Sequence, residues 1–472
     1  MSIQTLPDNT DVVVIGAGPG GYVAAIRAAQ HGAEVTLVEK DAYGGTCLNV
    51  GCIPSKALIT AADLAHQAGN AEKMGVYADV SVNFEEMIGW KDKVVGQLST
   101  GVKQLSKANG VSIIDGTARF LDEDNIQISE AENNQGIVGF ENAIIATGSS
   151  PVTVPGVEFD GEHILSSTDI FELHELPEKL IIVGAGYIGM ELSAALTKLG
   201  VEVTVVEMLD RALPGYEEDV ASVVMEHAQN LGVEFQFGEV AKGWEATEHG
   251  TCLMTESNDS KRFSYYADAV VVAVGRKPCT DTISMENAGI DMNDDGFIST
   301  DKYMQTTTDG VFAVGDVTGE PMLAHKASNQ GELVADAITH DGEVHIPSAV
   351  PAAVFTDPEI CTVGMTEAEA RAAGNSPITG RMPMRASGRA LTMDAPDGFI
   401  RIVADDSTGV ILGAQAVCSE ASELGAELSL AVELKATVTD VASTIHTHPT
   451  LGEAVMEAAA NARGQAIHTL NE

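Results

Sequence analysis

The sequence has little positive charge. Against 69 Asp and Glu stand only 26 Lys and Arg, a formal net charge of −43 at pH 7. The acid is spread along the whole chain instead of being gathered in a tail. Such a polyanion is repelled by phosphate backbones and by anionic lipid, which argues against nucleic acid or membrane surfaces as partners. Long hydrophobic runs are also missing. No stretch reaches the roughly 18 apolar residues needed to span a bilayer, although hydrophobic residues make up 44% of the chain and suffice for a large core. The opening MSIQTLPDNTDVVVIG has no basic region followed by an apolar block and a cleavage site, so the expected compartment is the cytoplasm. Cysteine is scarce, with six residues in 472. Cys252, Cys279, Cys361 and Cys418 stand apart at no metal-ligand spacing and are expected to be small buried hydrophobes or idle thiols, and no metal site is expected.

What is present is a repeat. Residues 11–21 read DVVVIGAGPGG and residues 180–189 read LIIVGAGYIG. Each is a β-branched apolar run entering a G-x-G-x-x-G turn, at Gly16, Gly18 and Gly21 and again at Gly184, Gly186 and Gly189. Helix-like stretches follow at 22–31 and 190–199, then strands EVTLVE and EVTVVE that end in Glu39 and Glu207. In both copies the acid stands 23 positions after the first glycine. In such a βαβ unit the first glycine permits the tight turn and the second lets a pyrophosphate approach the backbone. The third lets helix and strand pack closely, and the acid accepts hydrogen bonds from ribose hydroxyls. The helix start supplies free N–H groups and a positive dipole end. Two dinucleotides are therefore expected. Glu207 favours NAD over NADP at the second unit, because a 2′-phosphate would meet a carboxylate. Arg211, four residues on, keeps the alternative open.

Directly after the first unit, residues 43–56 read YGGTCLNVGCIPSK, with Cys47 and Cys52 five residues apart. In an ideal helix that spacing rises about 7.5 Å, whereas bridged cysteines usually have Cα atoms closer than about 7 Å. A disulfide here needs an interrupted helix start, for which Gly51 and Pro54 are suited. A redox pair, half of a zinc site and two inert thiols are all readings of C-x4-C. A second Cys/His pair at zinc spacing is not evident, and the neighbouring dinucleotide unit favours the redox reading.

The segment GGTCLNVGCIPSK resembles the redox segment of the pyridine nucleotide–disulfide oxidoreductases, and the likeness runs in order along essentially the whole chain. The resemblance implies an α/β fold of two Rossmann-like dinucleotide-binding domains, for FAD and for NAD, followed by a C-terminal α+β dimerisation domain. It divides the chain into an FAD domain at 1–150, an NAD domain at 151–280, a second FAD-contacting segment at 281–350 and the dimerisation domain at 351–472. Residues 121–136, rich in Asp, Glu and Asn, read as an exposed excursion, and 350–353 (VPAA) read as a linker.

The resemblance also implies roles for residues. Cys47 would be the thiol that exchanges with substrate and Cys52 the thiol against the flavin. In HTHPTLGE, at 446–453, His448 would be the catalytic base and Glu453 the carboxylate that orients it, with His446 structural. Lys56 would lie close to the flavin ring, paired with Glu191. FAD contacts would further include Lys40, Thr46, Ala118 in GTAR, Thr147 and Gly148 in AIIATGSSP, and Asp316, Met322 and Ala324 in VFAVGDVTGEPMLAHK. His325 in that last motif would either line the flavin or fill the core. NAD contacts would include Tyr187, Ile188, Gly275 and Arg276. Within the family the pattern is most like members that oxidise dihydrolipoamide with NAD. The implied partners are a second copy of the chain, whose histidine serves the other copy's cysteines, and the lipoyl domain of a separate acyltransferase chain. Another disulfide reductase of the same family is the alternative. A branch that prefers NADP conflicts with Glu207, and a branch with a further cysteine pair near the C-terminus conflicts with the lack of cysteine after Glu453. A non-catalytic flavoprotein would have lost a cysteine or the base, and neither is lost.

An acidic surface of this density suits a solvent of high ionic strength. Charges that repel across about 10 Å in 0.1 M salt are screened within about 3 Å in 1 M. The melting temperature is therefore expected to rise steeply across that range. A melting curve indifferent to salt would remove this inference.

Overall fold

Val12, Val13 and Val14 are consecutive, so a strand that contains them must bury both of its faces. A parallel sheet between two layers of helices does this. The structure, a computed structural model, describes residues 6–130, 135–248, 250–339 and 345–471. In it the three valines are fully buried in the strand Asn9–Ile15. That strand pairs in parallel with Val35–Glu39 on one side and Gln135–Ile145 on the other. Ser112–Phe120 and Val311–Ala313 lie beyond them. The strand order reverses at Asn9–Ile15, so a crevice opens there at the carboxyl ends of the strands.

The second copy of the repeat builds the same sheet. Glu234–Phe237, Glu202–Glu207, Lys179–Val183, Ala269–Val272 and Ile164–Ser166 lie side by side, all parallel, and the order reverses at Lys179–Val183. Each unit also carries antiparallel strands, as an extension of the sheet in the first and as a separate sheet in the second. In the first unit, Asn125–Glu130 joins the far halves of Ser112–Phe120 and Gln135–Ile145. In the second, Glu239–Thr247, Gly250–Ser257 and Arg262–Ala267 form a meander. The exits of the two units, Ser149–Pro151 and Arg276–Pro278, pair with each other and tie the units together.

Residues 281–350 serve the first unit. They supply its strand Val311–Ala313 and the helix Ala324–Thr339, which packs on the helix Pro19–Gln30. The contact is backbone to backbone: a Cβ on Gly331 would lie 2.4 Å from the Gly20 carbonyl oxygen. The third body is an antiparallel sheet, in the order Ala352–Val354, Glu359–Gly364, Ile411–Cys418, Phe399–Asp405, Pro377–Pro383. The helices Ala421–Glu433 and Glu453–Asn461 cover it. Among the described residues no helix is long and apolar enough to cross a membrane.

Two expectations are corrected. The described part of 121–136 is no exposed excursion. Ile126 and Ile128 alternate with polar neighbours and are fully buried in the strand Asn125–Glu130; polar composition hid a period of two (131–134 lie outside the described residues). Residues 350–353 are no free linker either, since Ala352–Val354 is an edge strand and Val354 is buried in the core shared with the second unit.

One contact fixes where the last helix sits. Gly380, in Pro377–Pro383, lies against Glu453–Asn461 so closely that a Cβ would be 2.0 Å from the Ala458 carbonyl oxygen and 2.3 Å from the Ala462 nitrogen. Gly380→Ala is expected to push the helix off the sheet and to destabilise the protein by about 1–3 kcal/mol or more, as overpacking does. Denaturation of the variant checks this, and an unchanged midpoint would show slack in the helix seat.

Candidate active site

Both glycine turns adopt the geometry their spacing implies. Gly16 and Gly184 have φ of +100° and +106°, the left-handed region where glycine is favoured. A Cβ on Gly21 would lie 1.8 Å from the Gly16 oxygen, and one on Gly189 would lie 2.0 Å from the Gly184 oxygen. The first and third glycines are thus demanded by the protein itself. The second is not. Gly18 and Gly186 have ordinary φ values of −67° and −72°. A Cβ on Gly186 would meet nothing within 4 Å, and one on Gly18 only the Gly45 Cα at 3.9 Å. Their missing side chains leave space that no protein atom uses. The helices Pro19–Gln30 and Tyr187–Lys198 start at these two residues without a side-chain cap, so their N–H groups stay available to a phosphate.

The acids at the two strand ends do something the repeat alone did not reveal. Glu39 accepts hydrogen bonds from the Ala17 N–H at 2.6 Å and the Asp41 N–H at 2.8 Å. Glu207 accepts from the Ala185 N–H at 2.7 Å and the Leu209 N–H at 2.9 Å. Each buried carboxylate therefore staples its own glycine turn to the second strand before any ribose arrives. Arg211 turns inward to the chain. Its guanidinium donates to the carbonyls of Leu213, Pro214 and Tyr216 at 3.4, 2.9 and 3.0 Å.

A cavity of about 560 Å³ runs from the first turn to the second unit. Gly16, Gly18, Glu39, Lys40, Thr46 and Ala118 line one end, and Tyr187, Ile188 and Arg276 the other. Cys47, Cys52 and Lys56 form the wall between, with Thr147, Gly148, Asp316, Met322 and Ala324. Gly21, Gly184, Gly186, Gly189, Glu207 and Gly275 lie outside this lining. His325 is exposed, holds the Pro351 carbonyl at 2.6 Å and neither lines the cavity nor fills the core. Cys252, Cys361 and Cys418 are buried, whereas Cys279 reaches the cavity wall. Burial pushes the thiols of Cys361 and Cys418 up to about 11 and about 12, so both stay protonated and inert.

Cys47 and Cys52 form a disulfide with Cα atoms 4.6 Å apart. The close approach comes from a broken helix. Gly45–Val50 ends at Gly51, whose φ and ψ of −138° and −106° are not helical, and Cys52–Gly69 begins immediately after. Gly44 and Gly45 make the entry possible. Both have positive φ, and a Cβ on Gly45 would lie 2.6 Å from the Gly18 Cα. Because Cys52 is the first residue of an uncapped helix, its sulfur sits at a positive dipole end that favours a thiolate.

Lys56, one turn into that helix, donates to Glu191 at 2.9 Å. Glu191 is buried and accepts the Phe355 N–H on its other oxygen at 2.8 Å. The ammonium also lies 4.4 Å from the centre of the Phe355 ring. Asp316 accepts a hydrogen bond from the Ser149 hydroxyl at 2.5 Å, and Ser149 is itself held by Arg276, at 2.7 Å to both hydroxyl and carbonyl. The Phe355 and Ser149 contacts had no local signal in the sequence.

His448 and Glu453 meet, with Nδ1 2.8 Å from Oε1, and the Thr450 N–H donates to the other carboxylate oxygen at 2.9 Å. That N–H and the imidazole hold the Glu453 carboxyl below its ordinary range. The His448 side chain is 79% exposed, which leaves Nε2 open to solvent. His446 differs, since Thr444 O and Glu427 occupy both of its ring nitrogens at 2.9 and 2.7 Å. The His448–Glu453 pair does not line the cavity that holds the cysteines.

An adenine dinucleotide fits these features. The space at Gly18 and Gly186 is free for pyrophosphate, and the buried Thr147 hydroxyl on the cavity wall has no hydrogen-bond partner among the described residues. Comparison with known proteins agrees. Residues 10–331 match the family described as pyridine nucleotide-disulphide oxidoreductase, and residues 350–459 match its dimerisation domain. Dihydrolipoyl dehydrogenase of Haloferax volcanii is 57% identical over 474 residues, covering 100% of both chains. Dihydrolipoyl dehydrogenase of Bacillus subtilis is 43% identical, covering 99% of each. Among solved structures, LpdA of Mycobacterium tuberculosis superposes with a TM-score of 0.89 at 29% identity, covering 95% of this chain and 99% of that one. The HOCl-induced flavoprotein disulfide reductase RclA of Escherichia coli gives 0.84 at 28% identity, with the same coverage of 95% and 99%.

The contrast among the glycines is testable. Gly186→Ala is expected to leave the melting temperature nearly unchanged and to weaken binding of NAD at least tenfold, whereas Gly189→Ala is expected to destabilise the fold. Equal effects of the two on stability would contradict the assignment of the Gly186 space to a ligand.

Proposed function

The chain belongs to the pyridine nucleotide–disulphide oxidoreductases, and from that premise we propose that it oxidises dihydrolipoamide to lipoamide with NAD as electron acceptor. The balance is dihydrolipoamide plus NAD⁺ giving lipoamide, NADH and one proton. One observation carries the reading: the Cys47–Cys52 disulfide stands in the wall of a cavity that both nucleotide units reach. The dihydrolipoyl dehydrogenases found among its relatives, from salt-loving archaea and from bacteria, support the choice of substrate.

The family's cofactors are FAD and NAD. In this reading Gly16, Gly18 and the start of Pro19–Gln30 hold the FAD pyrophosphate, Glu39 its ribose and Asp316 its ribityl chain. Ala118 faces the adenine and Lys56 the flavin ring. Gly184, Gly186, the start of Tyr187–Lys198 and Glu207 hold NAD. Arg211 is committed to three carbonyls, which supports NAD over NADP. When bound, FAD supplies the two-electron relay between the cysteine pair and NAD.

The chain's own residues do the thiol chemistry. A thiolate of the substrate attacks the Cys47 sulfur, and Cys52 leaves as a thiolate at the helix start, where the dipole stabilises it. The second substrate sulfur then attacks the sulfur still bound to Cys47, closes the lipoamide ring and releases Cys47. A base must take the substrate protons at neutral pH. His448 does so through Nε2, while Glu453 holds Nδ1 protonated and stabilises the imidazolium.

That base is exposed on the dimerisation domain and does not line the cavity that holds the cysteines of its own chain. Two copies complete the site, with the partner's His448 facing Cys47. Leu430, Leu434 and Ile445 on the same domain are 58, 69 and 96% exposed, which suits burial against a second copy. The substrate arrives on the lipoyl domain of a separate acyltransferase chain.

Anaerobic NAD reduction by dihydrolipoamide in high salt, with NADP and glutathione as controls, tests the activity. It is expected to proceed rapidly and to fall by at least a thousandfold in Cys47→Ser and in His448→Gln. Activity with NADP or on another disulfide, and none with dihydrolipoamide, would move the substrate assignment. Mixed dimers of the two variants are expected to regain turnover, since one of their two sites then has both groups. Mixed dimers as inactive as the parents would place base and thiol on one chain.

A further inference from the structure

The helix that begins with Cys52 and the helix that begins with Tyr187 are joined twice. At the cavity, Lys56 donates to Glu191 at 2.9 Å. Seven residues further along each helix, Lys198 donates to Asp63 at 2.5 Å. Both pairs span 135 positions of sequence, so the two helices run parallel and stay in step. Seven residues are about two turns, or roughly 10.5 Å, so both contacts fall on one face. The charges are exchanged between them: the redox helix carries the cation at the cavity and the anion at the far end.

A third element meets both contacts. Phe355 binds Glu191 through its N–H and Lys56 through its ring. Two residues on, Asp357 takes Lys198 on Oδ2 at 2.6 Å, and His227 Nε2 stands 3.2 Å from the same oxygen. The Lys198 side chain is 5% exposed. Burial opposes its charge, but Asp357 and Asp63 more than offset this and raise its pKa. Desolvation opposes the charge of the half-buried Asp357 carboxyl, yet His227 and Lys198 hold it far below the usual range.

This arrangement fixes register. The two helices already share an apolar core through Leu58, Ala62, Leu192 and Ala195, and two ion pairs on one face add a directional constraint on both sliding and rotation. Reversing one helix would set Lys56 against Lys198 and Asp63 against Glu191, like charge on like. We propose that Lys198 is a positioning residue for Lys56: it lines neither the cavity nor the disulfide, and through Asp63 and Asp357 it sets the alignment in which Lys56 meets Glu191 at the flavin site. The proposal rests on the reading that Lys56 lies against the flavin ring.

The readout is the midpoint potential of the bound flavin in the holoenzyme, which a remote structural residue has no reason to move. In Lys198→Met the ratio of reduced to oxidised flavin at a fixed poise is expected to fall by about tenfold, as when a charge-assisted contact is loosened. Lys198→Arg, which keeps a cation between Asp63 and Asp357, is expected to hold the ratio within about twofold of the parent, since register needs the charge at both carboxylates and not the particular side chain. Asp63→Asn, a milder change that keeps Asp357 on Lys198, is expected to give a smaller fall and covers failure of either variant to fold. Lys56→Met separates the two claims. If it leaves the potential unchanged, the placing of Lys56 at the flavin is wrong. If it lowers the potential while Lys198→Met and Asp63→Asn do not, the positioning role of Lys198 is overturned, as it is if folded Lys198→Arg lowers the ratio as far as Lys198→Met does.

Discussion

A buried carboxylate has to be compensated, and in this protein the compensation of Glu191 holds the cavity wall together. Its two oxygens take an ammonium from the redox helix and an N–H from the chain entering the third domain. Removal of either partner would leave a largely buried carboxylate on the cavity wall with half of its compensation gone, at a cost of up to about 3–5 kcal/mol, the scale seen for broken buried pairs. Glu191 itself belongs to the second nucleotide unit. Three bodies thus meet on one side chain, and the cavity keeps its shape because none of them can withdraw without stranding that charge.

The same logic governs how the scarce cations are used. With 26 basic residues against 69 acids, the chain could have spent every one on softening its surface. Several are placed where bodies join instead. Lys91 is buried and donates to the Phe171 carbonyl at 2.8 Å, linking a helix of the first unit to the second. Arg401, on the sheet of the third domain, holds Glu217 and Asp219 at the start of a helix of the second unit. Surface pairs would have contributed little in a salty solvent, where exposed charges are screened. Buried and half-buried pairs keep their strength there. The acidic exterior and the paired junctions are two answers to one ionic environment.

Much of the fold was legible because its main device is local. A parallel strand buried on both faces needs an unbroken β-branched run, and a pyrophosphate turn needs glycines at fixed spacing; both lie within about thirty residues of sequence. The broken helix at Gly51 and the disulfide across it were readable for the same reason. Features that depend on meeting in space were not. Ile126 and Ile128 looked like part of a polar loop because only two of their neighbourhood point inward. Phe355 carries no motif, Ser149 stands inside AIIATGSSP without a sign of its hold on Asp316, and both matter through what the fold sets beside them. The second function of Glu39 and Glu207, stapling their own turns, was hidden behind the ribose reading that the same spacing supports. For the proposed base, the pairing of His448 with Glu453, five residues apart, was local, whereas its standing outside the lining of the cavity that holds the cysteines was not.

The first nucleotide unit is assembled from two stretches far apart in the chain, with the whole second unit between them. During synthesis the ribosome delivers the glycine turn and the redox segment early, then every strand of the second sheet, and only afterwards the strand Val311–Ala313 and the helix Ala324–Thr339 that finish the first. The unit that stands second in the sequence therefore has all its parts first. Until residue 339 has emerged, the helix Pro19–Gln30 has no cover for the backbone at Gly20, and the nascent chain holds an open half-site beside a closed one.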